Sequence, residues 1–167
     1  IEVSAVLAGE ESRLKPVPAK RWKTLKLLPT DRVYSGTQTP EDRFREADLI
    51  VDAILGYGLS GTPRGRQAQV IGEILESGNG AILSLDVPSG LDSTTGNVPG
   101  DCIAARATMT LALPKTGLMK ASSSRYTGDL YVADIGVPPH LYSRIGLKSF
   151  QPFKEETILQ VLPETSG

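Results

Sequence analysis

Two apolar runs, LIVDAIL at 49–55 and AILSLDV at 81–87, flank a helical pattern at 67–76, and nothing else in the chain limits its fold as strongly. Runs that are apolar at nearly every position suit strands covered on both faces, whereas a half-exposed strand alternates. The segment between them places Val70, Ile71, Ile74 and Leu75 on one side of a helix. A connection of that length suits a right-handed crossover between parallel strands. Further strand patterns lie at 3–7, 107–113 and 130–135, with an edge candidate at 32–35, and further helical patterns at 19–28 and 40–46. The expectation is an α/β fold with a mostly parallel sheet.

With 167 residues, 40% apolar and 22% charged, the chain reads as one soluble domain over 1–150, followed by a tail or linker at 151–167. A net charge of −1 and the lack of a basic, aromatic-laced stretch speak against nucleic acid. Lys20, Arg21, Lys23 and Lys26 around Trp22 read as a solvated helix face with one apolar anchor. Cys102 and His140 are the only residues of their kind, which rules out an intrachain disulfide and a Cys- or His-rich metal site. They are compatible with a reducing, cytoplasmic setting, and no run approaches the roughly 18 apolar residues of a membrane span. The opening IEVSAVLAG already reads as a strand, without Met or leader, as if cut inside a fold.

Open parallel sheets bind ligands where their strands end, so the exits carry the functional signal. GYGLSGTPRG follows the strand holding Asp52, a carboxylate inside an apolar run that needs a partner, either hydrogen-bonding, ionic or a hard cation. Gly56, Gly58 and Gly61 spell GxGxxG, but Pro63 and Gly65 delay the helix and Asp86 falls about ten residues late for a dinucleotide fingerprint. Asp86 ends its own strand before ValProSerGly and Asp92, in a crevice where burial is expected to raise its pKa and suit acid–base work. Ser89 reads as a hydroxyl ligand or turn residue, since only distant His140 offers it a base. Lys115 leaves the strand at 107–113 and is a candidate contact for a phosphate or a nearby carboxylate. The segment at 87–100 is irregular and too rich in Gly and Pro for a helix.

In this order, DLIVDAILGYGLSG, LSLDVPSGLDSTTGN, ATMTLALPKTGL and GDLYVADIGVPP resemble the NAD(P)H-hydrate epimerase family, the YjeF N-terminal domain-like proteins, over 48–139. The resemblance implies a Rossmann-like three-layer α/β/α sandwich, commonly dimeric, that interconverts the R and S forms of hydrated NADH or NADPH for repair by a companion dehydratase. The nucleotide is then substrate, and the only cofactor implied is a potassium ion. Carried over by position, Asp52 and Ser89 bind potassium. Gly56, Tyr57, Gly58, Leu59, Ser60, Gly61, Thr62 and Asp86 bind substrate, and Asp86 is catalytic. The family's loop of the form GNNGGDG is missing here, so a longer parent protein is expected to complete the pocket. ILQVLPETSG reads as a tail or the start of a linker toward a dehydratase. The alternatives are a non-catalytic nucleotide- or protein-binding domain of the same fold, and a Rossmann dehydrogenase, which the spacing of Asp86 disfavours.

Overall fold

The structure, a computed structural model, describes residues 1–28, 32–35, 42–59, 61–147 and 153–162. They fall into two compact units, Ile1–Ala47 with Pro63–Asn79, and Asp48–Thr62 with the chain from Gly80 onward.

In the first unit, β1 (Ala5–Val6) and β2 (Val33–Tyr34) pair in parallel, with α1 (Pro16–Leu25) between them in sequence. Pro16 stands at the first helical position, where its fixed φ fits and its missing N–H is not needed, so α1 begins ahead of the expected residue 19. Of the helix expected at 40–46, residues 40 and 41 lie outside the described residues and 42–45 form a turn. The Asn79 side chain ties the neighbouring backbone down, donating to the carbonyls of Phe44 (2.9 Å) and Ala47 (2.6 Å). α2 (Gly65–Ser77) buries Val70, Ile71 and Ile74, but Leu75 is 40% exposed, one position off the buried stripe. Gly78, with φ of +69°, closes the helix in the left-handed conformation favoured there.

The second unit holds a five-stranded sheet in the order β3 (Ile50–Asp52), β4 (Ile82–Leu85), β5 (Ala107–Leu111), β6 (Asp129–Ala133), β7 (Ile158–Gln160). The first four strands are mutually parallel and β7 is antiparallel to β6. The expected α/β fold with a mostly parallel sheet is therefore present, while part of the stretch read as a tail is a strand. Two short helices, α3 (Ser124–Thr127) and α4 (Pro139–Arg144), flank β6 in sequence. The irregular segment after β4 is packed rather than loose: Val87 and Leu91 join Cys102, Leu118 and Leu130 in one apolar cluster. Gly90 lets this happen. A Cβ there would lie 2.2 Å from the Asp101 carbonyl oxygen and 2.7 Å from Cys102 Cα, at a φ of +108°.

Candidate active site

Asp52 closes β3, while Asp86 and Lys115 follow the ends of the neighbouring strands β4 and β5. Asp52, Ser84 and Thr108 form one cross-strand row, all fully buried. The Asp52 carboxylate collects four hydrogen bonds. Oδ2 accepts from Ser84 Oγ and from the Ser89 N–H, both at 2.8 Å, and Oδ1 accepts from Ser89 Oγ at 2.6 Å and the Ile54 N–H at 3.3 Å. Ser89 Oγ in turn accepts from the Leu55 N–H at 2.9 Å and lies 3.4 Å from the Leu55 carbonyl oxygen. Asp52 thus staples the exits of β3 and β4 together, and the partner its burial demanded is a set of hydroxyls and amides.

Those donors are neutral, and among the described residues no cationic side chain pairs with Asp52. The oxygens gathered there, Asp52 Oδ1, Ser89 Oγ and the Leu55 carbonyl, are hard donors. A monovalent alkali cation fits that set, whereas among the described residues no three His, Cys, Asp or Glu side chains gather to hold a transition metal. Ser89 is fully buried with its hydroxyl proton on Asp52, and His140 is exposed on α4, so the Ser/His/Asp arrangement does not form. Burial, reinforced by the charge of Asp52, pushes the Cys102 thiol up to about 12, which leaves it inert.

Asp86 sits at the centre of a strained turn. Its φ is +72°, and the Val87 N–H donates across it to the Leu85 carbonyl at 3.0 Å, the i to i+2 bond of a γ-turn. The neighbouring strand ends the same way: Ala112 has φ of +64°, and the Leu113 N–H donates to the Leu111 carbonyl at 2.8 Å. Neither turn carries a sequence signal, since such turns have no fixed residue at their centre. Their effect is to swing the Asp86 side chain out of the strand's alternation and to bring Lys115 back along β5. Lys115 Nζ donates to Asp86 Oδ1, to Thr110 Oγ1 at 2.9 Å and to the Leu111 carbonyl at 3.0 Å. All three ammonium protons are engaged. The contact expected between Lys115 and a nearby carboxylate is present.

Asp86 Oδ2 accepts the Tyr57 N–H at 3.0 Å, which draws the glycine loop onto the carboxylate. Gly56 permits the approach, because a Cβ there would stand 3.0 Å from Asp86 Oδ2. Burial raises the pKa of Asp86, but the hydrogen bond and charge of Lys115 together with the Tyr57 N–H outweigh it and hold the group below the usual carboxylate range. The raised value expected from the crevice alone is thereby corrected: Lys115 and the Tyr57 N–H, both on this carboxylate, outweigh burial. At the loop's other end Thr62 Oγ1 donates to the Pro99 carbonyl at 3.3 Å, tying it to the segment after Asp86. Gly58 and Gly61 lie between these anchors at positive φ, with Leu59, while Ser60 lies outside the described residues. The ring of Tyr57 is 73% exposed. Asp92 takes no part, since its Oδ1 accepts the N–H groups of Thr94 (2.9 Å) and Thr95 (2.7 Å) and shapes its own turn.

The family described as YjeF-related protein N-terminus matches residues 1–117. An NAD(P)H-hydrate epimerase of Dehalogenimonas lykanthroporepellens is 50% identical over 109 residues, 65% of this chain and 42% of the relative. One of Truepera radiovictrix is 39% identical over 148 residues, 89% of this chain and 63% of the relative. A bifunctional NAD(P)H-hydrate repair enzyme Nnr of Moorella thermoacetica is 45% identical over 95 residues, 57% of this chain and 18% of the relative. The chain therefore spans less than two thirds of these curated relatives. Among solved structures, yeast ynu0 (YNL200c) superposes with a TM-score of 0.61 at 25% identity, covering 77% of this chain and 54% of the yeast protein.

Proposed function

The chain belongs to the YjeF-related N-terminal family, and from that premise we propose that it carries the epimerase site that interconverts the R and S forms of hydrated NADH and NADPH. The observation that carries this reading is the Asp86 carboxylate, held ionised between Lys115 and the Tyr57 N–H at the end of β4, beside the glycine loop. The names of the relatives support the substrate class. Positions 56–62, Ser60 among them, form the substrate loop on this reading.

Asp86 handles the proton of the ring C6 hydroxyl. The C6–O bond breaks as that oxygen takes up a proton from solvent and leaves as water, while the lone pair of the ring nitrogen closes a transient iminium. Water then adds at the other face and gives its proton to Asp86, which releases it to solvent. A carboxylate held ionised is suited to the returning step and to lying beside the cationic iminium. Asp52 and Ser89 would hold a potassium ion, which supplies the positive charge that this buried carboxylate lacks. Homodimerisation, a cytoplasmic setting and a dehydratase, separate or fused as in relatives named bifunctional, complete the proposal.

The test is epimer interconversion on chromatographically separated hydrates of NADH. The parent protein carrying this chain is expected to equilibrate them, and Asp86→Asn to slow it about 10²- to 10⁴-fold. An Asp86→Asn variant that works at the wild-type rate overturns the assignment.

A further inference from the structure

We propose that Lys115 is a positioning residue of this site: seated on Thr110 and the Leu111 carbonyl, its ammonium fixes the Asp86 carboxylate in the one orientation the reaction uses. This rests on the epimerase reading for its catalytic consequence, but the pairing itself stands on geometry.

Four observations carry it. The ammonium has three protons and three acceptors, so none is left for a phosphate or another ligand. Two of those acceptors belong to β5 and are rigid: Thr110 is fully buried, and Leu111 opens the strained turn centred on Ala112. Asp86 is held in the same way from the other side, Oδ1 by Lys115 and Oδ2 by the Tyr57 N–H, so the carboxylate plane is pinned at both oxygens. With side chains only 17% and 19% exposed for Lys115 and Asp86, water is a weak competitor for the pair. Thr110 supports Lys115, which supports Asp86, and the chain of contacts crosses from β5 to β4.

The experiment follows the Asp86 carboxyl carbon by NMR through a pH titration in wild type, Lys115→Met and Thr110→Val, with steady-state kinetics on the hydrates alongside. In Lys115→Met burial is left opposed only by the backbone N–H groups of Tyr57 and Leu111, so the Asp86 midpoint moves to higher pH. Thr110→Val, near-isosteric, moves it in the same direction by less, and gives a reading should Lys115→Met fold poorly. The variant Lys115→Met is expected to lose about 10²-fold in kcat with KM changed less than about 3-fold, as for a reacting group displaced within its site, and the acid limb of its pH profile follows the NMR midpoint. An Asp86 midpoint unmoved in both variants overturns the proposal. A midpoint that moves in a protein that epimerises nothing upholds the pairing and overturns the epimerase reading alone.

Discussion

A carboxylate as enclosed as Asp52 is tolerable only because four donors reach it, and each donor comes from a position the chain must deliver accurately. Asp52→Asn turns one acceptor into an NH₂ group facing the hydroxyls and amides that formerly donated, and is expected to cost about 3 kcal/mol, read as a lowered chemical-denaturation midpoint. Potassium is expected to raise the wild-type melting temperature more than sodium does, and to lose that effect in Asp52→Asn. Ionised Asp86 stabilises the fold in another way. Its folded pKa lies below the unfolded value, so its contribution is present above the ordinary carboxylate range and is lost as the pH falls through and below it. Asp52 and Asp86 were legible in the sequence because a carboxylate interrupts or ends an apolar run, and Ser89 read as a hydroxyl ligand or turn residue just beyond the strand. Ser84, Thr108 and Thr110 were not, since a hydroxyl within a strand is ordinary until register shows what it faces.

Among the elements, the turn after β4 is the one whose sequence and geometry are most tightly coupled. Pro88 cannot extend the strand, and Gly90 admits the backbone of 101–102 where any side chain would collide. Gly90→Ala is therefore expected to destabilise by several kcal/mol or prevent folding, measured by soluble yield and melting temperature, because backbone on both sides must move. Periodicity located α2 and the cores of β3 to β6, since long apolar patterns survive local competition. It overran each strand it located by one or more residues and gave no hint of the turns centred on Asp86 and Ala112, which are held by backbone bonds rather than by residue type. β7 was missed for a different reason: an edge strand of three residues, with Ile158 45% exposed, buries too little to leave a pattern.

At the scale of the whole molecule, the α/β class followed from the apolar runs, but the expectation that both faces of the sheet are covered meets an exception. Val51, Leu83, Leu85, Met109, Leu111 and Tyr131 share one face by register, and Val51 is 56% and Leu85 40% exposed. An apolar face of this kind is expected to bind the dye ANS under native conditions, and Val51→Thr with Leu85→Thr to reduce the fluorescence without lowering the melting temperature. An undiminished signal in that double variant shows the dye to be elsewhere. The Asp52 staple also sets an order of assembly. Leu55 and Ser89 are 34 residues apart, so the carboxylate has no complete set of donors until the strand and turn after α2 have been made. A nascent chain that ends before Ser89 lacks two of the four donors to Asp52, so burial of that carboxylate is complete only once the turn after β4 has emerged.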